Sequence, residues 1–222
     1  PLLAILELCG IPPEDRKDFF QWTNTMMFSE DPDMSVGEEE AQVASLHIIE
    51  YAMKLAAQHQ ENPKDDIIGA LLTDKGGEKG LTEDEFVWFF LMLIAAGNES
   101  TRTITSHGMR MLMQHPDQLQ YLVDNPDKIP GACEEMLRYN TAFILMRRTA
   151  LEDVEVAGQQ IKAGDKVIMH YHTVNHDETV FGDDAMEFDV RRAERMPDLY
   201  KEHRAFGVGP VSYTHLRAHE TV

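Results

Sequence analysis

Apolar residues recur every three or four positions through the first two thirds of the chain, a spacing that is typical of amphipathic helices. One such stretch follows the proline- and acid-rich residues 12–15 and reaches Phe28. Prolines and acids suit the first turn of a helix. Two shorter stretches, residues 117–123 and 130–139, are predicted as further helices.

Two long helices are predicted from capping boxes, in which a hydroxyl and a carboxylate three residues apart satisfy backbone donors at a helix start. The first box, Ser35 with Glu38, predicts a helix to about Gln60. The second box, at residues 82–85, predicts a helix that continues to His115, because Pro116 follows.

The second long helix contains an apolar run that ends abruptly in polar residues. Residues 86–96 carry no charge, and these eleven residues are fewer than the roughly 20 that cross a bilayer, so the run predicts a buried helix. Gly97, Ser100 and Thr101 follow. Glycine weakens a helix and hydroxyls compete for its carbonyls, so a local distortion is predicted, as is frequent at functional sites. The alternative is a tight helix crossing at Gly97.

After Tyr139 the pattern changes to β-branched residues separated by turn glycines, which predicts a small antiparallel sheet over residues 154–171. Its last strand is expected to continue so that His170 and His172 share one face. From Asn175 onward a structured meander is predicted. The predicted fold class is therefore mainly α with a small antiparallel β-region.

Charge and cysteine content narrow the classes of function. The 222 residues contain 20 Lys and Arg against 39 Asp and Glu, for a formal net charge of −19. Nucleic acid is not expected as a partner, because phosphate contacts need clustered basic residues. Cys9 and Cys133 match neither a disulfide framework nor a paired zinc motif. With no signal peptide or membrane anchor visible, a cytoplasmic location and no membrane partner are expected.

Two pairs of charged residues are weak signals when taken singly. Glu135 and Arg138 stand three apart on one predicted helix face, a spacing that many surface ion pairs share. Arg147 and Arg148 place positive charge where the chain turns from helix to sheet, which suits either an anion site or an ordinary strand edge.

Histidines support an alternative function. His170 and His172, with His176 and Asp177 close behind, have the composition of a metal site in hydrolases and non-haem iron oxygenases. No third ligand is placed by any pattern, so the competing interpretation is one core and one surface imidazole.

Seven short segments, taken together and in their order along the chain, resemble one protein family, although no single segment is specific for it. Across residues 1–209 the chain resembles the cytochrome P450 superfamily of haem-thiolate monooxygenases, most closely soluble bacterial members that hydroxylate steroids, terpenes or other apolar substrates. The segments are AGNEST (96–101), EEMLR (134–138), MRRTA (146–150), VAGQQIKAGDKV (156–167), NHDETVF (175–181), FDVRR (188–192) and HRAFGVG (203–209).

The resemblance implies roles for residues of the central helix. Glu99 takes the acid position and Ser100 the alcohol position of the oxygen-activating motif, with Thr101 beside them. These three are the expected catalytic residues, since activation of O2 needs delivered protons. Most relatives have threonine where this chain has Ser100, which retains a hydroxyl with more rotamer freedom.

The resemblance also implies residues that bind cofactor and substrate, and residues that support them. Glu135, Arg138 and Arg192 match a buried structural cluster. The expected contacts with haem b come from Ala96, Gly97, Arg148, His203, Phe206, Gly207 and Gly209, with Arg148 and His203 on the propionates. The expected substrate contacts are Ala95, Phe143, Ile144 and Leu145.

The implied activity is hydroxylation of an apolar small molecule that is steroid-, terpene- or fatty-acid-like, using haem iron and O2. Electrons would come from NAD(P)H through a ferredoxin and its reductase, or through a flavoprotein.

The chain departs from the family after Gly209, where the haem-binding loop would continue to the cysteine that ligates iron. No cysteine follows Cys133. Residues 1–210 are therefore interpreted as a partial catalytic domain, truncated at both ends, and residues 211–222 as a tail that is not native. Without the axial cysteine the chain is expected to be inactive alone, and a non-catalytic helical fragment is the alternative.

Overall fold

A computed structural model of the protein describes residues 1–29, 31–33, 36–73 and 79–207. The chain forms two compact units, the first ending at Arg102 and the second beginning at Thr103. The described residues are mostly helical with two small antiparallel sheets, which confirms the predicted fold class. No helix among them is both long enough and apolar enough to span a membrane.

The first unit is built from helices around one apolar core. Phe19 is completely buried at its centre, with the rings of Trp22, Tyr51 and Phe90 packed edge-on against it. The helices are α1 (Leu2–Leu8), α2 (Arg16–Met27), α3 (Glu38–Glu61), α4 (Ile67–Leu72) and the first part of α5 (Glu83–Gln114).

Both predicted long helices are present. Helix α3 begins at Glu38, and Ser35 of its predicted capping box lies outside the described residues. The second capping box, Thr82 with Glu85, forms both of its hydrogen bonds. The Thr82 amide donates to Glu85 Oε2 at 2.8 Å, and the Glu85 amide donates to Thr82 Oγ1 at 3.3 Å.

The distortion predicted near Gly97 is absent, since α5 is one continuous α-helix from Glu83 to Gln114. The Ser100 hydroxyl donates to the Ala96 carbonyl at 2.6 Å, a bond that fits within a helix. A Cβ on Gly97 would lie 2.7 Å from Ile5 Cδ1. The glycine therefore allows close packing of α1 on α5, which was the alternative interpretation.

The second unit combines helices with two strand pairs. Strand β1 pairs antiparallel with β4, with Arg148 opposite Val167, and β2 pairs antiparallel with β3. After the end of α5 its elements are α6 (Pro116–Asp124), a 3-10 turn (Pro126–Lys128), α7 (Ile129–Tyr139), β1 (Leu145–Thr149), β2 (Val154–Val156), β3 (Gln159–Ile161), β4 (Lys166–His170), α8 (Tyr171–Val174), α9 (Glu178–Phe181), α10 (Arg192–Arg195) and α11 (Leu199–Glu202).

The prediction that the last strand includes His172 is wrong. Strand β4 ends at His170, whose Nδ1 accepts the Thr173 amide at 3.2 Å and so caps α8. This cap turns the chain from strand to helix, and His172 lies on the helical turn. The predicted meander contains three more short helices, α9 to α11.

Candidate functional site

Helix α7 in the second unit carries a buried ion pair. Glu135 and Arg138 have no solvent-exposed surface, because the spacing of three places them with Ala132 on the inner face of the helix. The Arg138 guanidinium donates to both carboxylate oxygens of Glu135, from Nε at 2.7 Å and from Nη2 at 2.8 Å. This two-point geometry is the strongest form of an arginine–carboxylate contact.

Arg192, the first residue of α10, also binds the Glu135 carboxylate. Its Nε donates to Glu135 Oε1 at 3.2 Å, and the Asp189 amide donates to that oxygen at 3.0 Å. The structure therefore brings together Glu135, Arg138 and Arg192, the three residues that sequence predicts as one cluster.

Other guanidinium donors of this cluster bind backbone carbonyls of the meander. Arg138 donates from Nη1 to the carbonyls of Asn175 and Ala185, both at 2.7 Å. Arg192 donates from Nη2 to the carbonyl of Asp184, also at 2.7 Å. Two buried guanidinium groups thus tie an irregular segment to α7, which is how such a segment without sheet bonds becomes ordered.

The predicted catalytic residues lie in succession on α5 in the first unit. Glu99 Oε2 accepts from Arg102 Nη2 at 2.7 Å, and the Arg102 guanidinium lies 5.0 Å from the centre of the Phe28 ring. Glu99 and Ser100 are half-buried, and Thr101 is exposed. An acid and two hydroxyls within reach of solvent can take up and pass on protons. Their catalytic role stays a prediction. The substrate contact expected of Ala95 and the haem contacts expected of Ala96 and Gly97, on the same helix, also stay predictions.

Strand β1 carries an exposed arginine, Arg148. Arg148 is exposed, donates to the Arg147 carbonyl at 3.1 Å, and forms no ion pair with a carboxylate of the described residues. By the alternation of strand side chains it shares a face with Met146, Val167 and Met169. A guanidinium that no described carboxylate neutralises, beside apolar side chains, fits a haem, because the macrocycle is apolar and the two propionates are anionic.

Three of the four predicted substrate residues precede or begin this strand. Phe143, Ile144 and Leu145 are 40%, 57% and 51% exposed, respectively. Three consecutive apolar side chains held partly in solvent can contact an apolar ligand. Their assignment to substrate stays a prediction.

His203 is buried and bonded within the protein. Its Nε2 lies 2.8 Å from Glu134 Oε2, and its Nδ1 accepts the Ala205 amide at 3.4 Å. Phe206 is half-buried with its ring centre 6.0 Å from that of His203, and Gly207 has φ +76°. Their predicted haem contacts stay predictions. Gly209, like the predicted tail 211–222, lies outside the described residues.

Two polar residues of this region form bonds that the sequence patterns did not predict. Glu134 holds His203, and Asn175 Oδ1 accepts the Arg204 amide at 2.6 Å. A signal was present in both cases, because Glu134 is the first acid of EEMLR and Asn175 the first residue of NHDETVF. Neither segment indicated which distant residue each side chain would bind.

The histidines of the alternative metal site do not converge. The centres of the His170 and His172 rings lie 6.3 Å apart. Nδ1 of His170 also accepts a hydrogen bond from the Thr173 hydroxyl at 2.7 Å. His172 instead stacks on His176 at 4.3 Å. In the described parts of the chain, no group of three or more His, Cys, Asp or Glu side chains could hold a metal ion.

The surroundings of both cysteines disfavour the thiolate form. Burial, with a smaller contribution from the Asp66 charge, raises the pKa of Cys9 to about 11. Partial burial and then the neighbouring Glu134 also raise the pKa of Cys133. Both thiols are free and favour the neutral form, which is a poor metal ligand.

Comparison with known proteins connects both units to one family. The sequence model of "Cytochrome P450" matches residues 129–211. The chain is 43% identical over 195 residues to the Steroid C26-monooxygenase of Mycolicibacterium smegmatis, covering 87% of this chain and 44% of that protein. It is 35% identical over 193 residues to the Methyl-branched lipid omega-hydroxylase of Mycobacterium tuberculosis, covering 86% of this chain and 45% of that protein.

Solved structures agree with this relationship. The structure is similar to CYP109E1 from Bacillus megaterium in complex with corticosterone, with a TM-score of 0.83 and 30% identity, over 94% of this chain and 55% of that one. The cytochrome P450 PksS of Bacillus subtilis matches with a TM-score of 0.83 and 31% identity, over 94% and 51% of the two chains. The chain spans a little under half the length of the curated relatives named here.

Proposed function

Because this chain belongs to the cytochrome P450 family, we propose that its residues serve a haem-dependent monooxygenase that hydroxylates an apolar small molecule with O2. The observation that carries this proposal is the 43% identity to a steroid C26-monooxygenase along 87% of the chain. A second relative is named for a methyl-branched lipid. A steroid or a similarly apolar lipid is therefore the proposed class of substrate.

Arg148 is the proposed anchor for haem in the second unit. When bound, haem b supplies the iron chemistry that activates O2. The exposed guanidinium of Arg148 would bind a propionate with two parallel hydrogen bonds, since no described carboxylate neutralises it. Met146, Val167 and Met169 on the same strand face would pack against the macrocycle. Glu135, Arg138 and Arg192 would hold the meander in place without touching cofactor or substrate.

Glu99 and Ser100 are the proposed proton-handling residues in the first unit. The Ser100 hydroxyl donates a hydrogen bond to the Ala96 carbonyl at 2.6 Å, and rotation about its side chain would free its proton for transfer. Glu99, held by Arg102 and partly open to solvent, would take up the proton that replaces it. Thr101 offers a second hydroxyl beside them.

Phe143, Ile144 and Leu145 are proposed to contact the substrate. Burying such side chains against an apolar ligand is favourable by roughly 25 cal/mol per Å² of surface removed from water. Electrons are proposed to arrive from NAD(P)H through a ferredoxin and its reductase, or through a flavoprotein. A cytoplasmic location is proposed because both cysteines are free thiols.

The chain with the present sequence is proposed to lack an axial thiolate. Its two cysteines are Cys9 and Cys133, and neither follows Gly209 in the position that the family's haem-binding loop gives to its ligand. A cysteine thiolate would supply the electron donation that haem needs to activate O2, so hydroxylation by this sequence alone is not expected.

A haem titration of matched arginine variants tests the cofactor proposal. Arg147 and Arg148 are adjacent and exposed, but strand alternation places them on opposite faces of β1. Arg148→Ala is expected to weaken haem binding by about tenfold or more, as for loss of a charged hydrogen bond, while Arg147→Ala leaves it nearly unchanged. Absorbance of the Soret band measures both affinities. Equal losses in the two variants, or no binding by the unaltered chain, would contradict the proposal.

Replacing the sequence after Gly209 with a cysteine-bearing loop tests the thiolate proposal. The reduced, carbon-monoxide-bound Soret band is expected to shift far to the red only in the version with the new cysteine. Because the chain spans less than half of its curated relatives, activity is tested in the same version joined to the parts of a relative that it does not cover. Supplied with a steroid, O2, NAD(P)H and ferredoxin components, that protein is expected to add one oxygen atom to the substrate, measured by mass spectrometry. A red-shifted band from the unaltered chain would show that the proposed lack of a thiolate is wrong.

A further inference from the structure

We infer that Glu134 and His203 form a positioning pair that holds residues 203–207 on helix α7. These residues begin the segment that resembles the haem-binding loop, so the inference rests on the proposed function. Glu134 would act through His203 and touch neither cofactor nor substrate.

The geometry of the pair is that of a buried, directional contact. The His203 side chain is 1% exposed and that of Glu134 is 20% exposed, with Nε2 and Oε2 2.8 Å apart. Glu134 and Glu135 are consecutive, so their side chains leave α7 about 100° apart. Glu135 binds the two arginines of the cluster, whereas Glu134 binds the segment that follows α11.

The bonding of the imidazole fixes its direction. Nδ1 of His203 accepts the Ala205 amide, so Nε2 carries the ring proton and donates it to Glu134. The ring therefore joins α7 to the backbone two residues beyond itself. Since Nε2 already has an acceptor, this arrangement competes with the propionate contact that the resemblance implies for His203.

A second side chain holds the next residue of the segment. Asn175 Oδ1 accepts the Arg204 amide at 2.6 Å, while its own carbonyl accepts from Arg138 Nη1 at 2.7 Å. The Gly207 amide then donates to the Arg204 carbonyl at 3.0 Å, closing a turn in which Gly207 has φ +76°. Residues 203–207 are thus attached to α7 directly by Glu134 and indirectly through the buried cluster.

Hydrogen exchange of backbone amides in the full chain tests the pair without haem. In Glu134→Ala the buried imidazole loses its acceptor, so exchange at Arg204, Ala205 and Gly207 is expected to rise about tenfold or more. Glu134→Gln should retain protection, because the side-chain carbonyl can accept the same N–H. Should Glu134→Ala fail to fold, Glu134→Asp shortens the reach by one methylene and is also expected to raise exchange.

The first unit offers a matched control. His59 Nε2 lies 3.0 Å from Asp66 Oδ2, with the histidine 3% and the carboxylate 29% exposed. Asp66→Ala therefore removes a comparable histidine–carboxylate contact and should leave exchange at residues 204–207 unchanged. Unchanged exchange in the Glu134→Ala and Glu134→Asp variants, or an equal rise in the Asp66 variant, would overturn the inference.

Haem titration of the same variants distinguishes this inference from the proposed function. We expect Glu134→Ala to bind haem about tenfold more weakly and Glu134→Gln to bind like the unaltered chain. A local rise in exchange with unchanged haem affinity would overturn the role of the pair in the loop while leaving the proposed function standing. Failure of the unaltered chain to bind haem would instead overturn the proposed function, and this inference with it.

Discussion

The charge balance around Glu135 explains how three ionised side chains remain buried in the second unit. Its carboxylate faces the guanidinium groups of Arg138 and Arg192, and the half-exposed Asp184 supplies a second negative charge at Arg192 Nη1, 3.0 Å away. Backbone carbonyls accept the other guanidinium protons. The desolvation of each charge is offset only while all partners remain in place.

Glu135→Ala is predicted to lower the free energy of unfolding by about 3–5 kcal/mol, the usual loss when one partner of a buried pair is removed. Arg138 would lose its carboxylate partner, and Arg192 would keep only the half-exposed Asp184. Urea denaturation followed by circular dichroism measures the loss. Glu187→Ala is the control, because this side chain is exposed, and a loss below about 1 kcal/mol in Glu135→Ala would contradict the prediction.

His176 makes the second unit sensitive to mild acid. Burial, followed by the charges of His172 and Arg138, holds the pKa of His176 below its ordinary value of 6.5. In the unfolded chain the ring would gain a proton first, so unfolding becomes easier as pH falls below about 6.5 and levels off below the lowered folded pKa. His176→Asn, which can still donate to the His172 carbonyl, is predicted to reduce this pH dependence.

Thermal unfolding between about pH 5 and pH 7.5 measures the contribution of His176, since the window must include the ordinary histidine pKa. Replacement of the exposed His107 by Asn provides the control and should leave the pH dependence as it was. Equal pH dependence in the unaltered protein and in His176→Asn would show that protonation of another group is responsible.

At the residue scale, sequence predicted which side chains matter better than it predicted their partners. Glu135, Arg138 and Arg192 belong to short recognisable segments, and the structure brings them together. Glu134 and His203 are 69 residues apart, and no local pattern specifies a bond over that separation. Their contact forms only because the folded meander brings His203 next to α7, and that path is set by the packing of the whole unit.

At the scale of elements, helix starts with reciprocal caps were the most predictable feature. The Thr82 and Glu85 contacts use atoms within one turn, so sequence alone specifies them. Two expectations failed because tertiary or capping contacts decided the outcome. Ile5 packs at Gly97 beside a helix that stays regular, and the His170 cap ends β4 before His172.

Gly108 is predicted to set how closely α5 and α7 pack within the second unit. It is buried, and an added Cβ would lie 2.5 Å from Sδ of Met136. Gly108→Val is therefore expected to lower the free energy of unfolding by about 1–3 kcal/mol through overpacking. Ser106→Val, at an exposed position of the same helix, controls for the effect of valine on helix propensity. Equal losses in both variants would contradict a packing role for Gly108.

At the scale of the whole molecule, composition and periodicity predicted the mainly helical class, whereas the division after Arg102 was not predicted. The boundary falls inside α5, a helix whose sequence pattern runs on without a break. Linkers rich in proline or glycine are the usual sequence sign of such a division. A division within a continuous helix leaves no such sign, because it depends on which side chains pack around each half.

Salt is predicted to stabilise the whole molecule. The formal net charge of −19 makes the folded chain repel itself, and exposed ion pairs such as Lys128–Asp127, Lys162–Asp153 and Lys201–Asp198 contribute little. Raising ionic strength from about 0.01 M to 0.3 M shortens the screening length several-fold, so the melting temperature near pH 7.5 is expected to rise by a few degrees. Near pH 5, close to the sequence pI of about 4.8, repulsion is small and the same salt step should have little effect. A melting temperature that falls with salt at pH 7.5 would mean that attractive pairs, rather than net charge, dominate the electrostatic free energy of this fold.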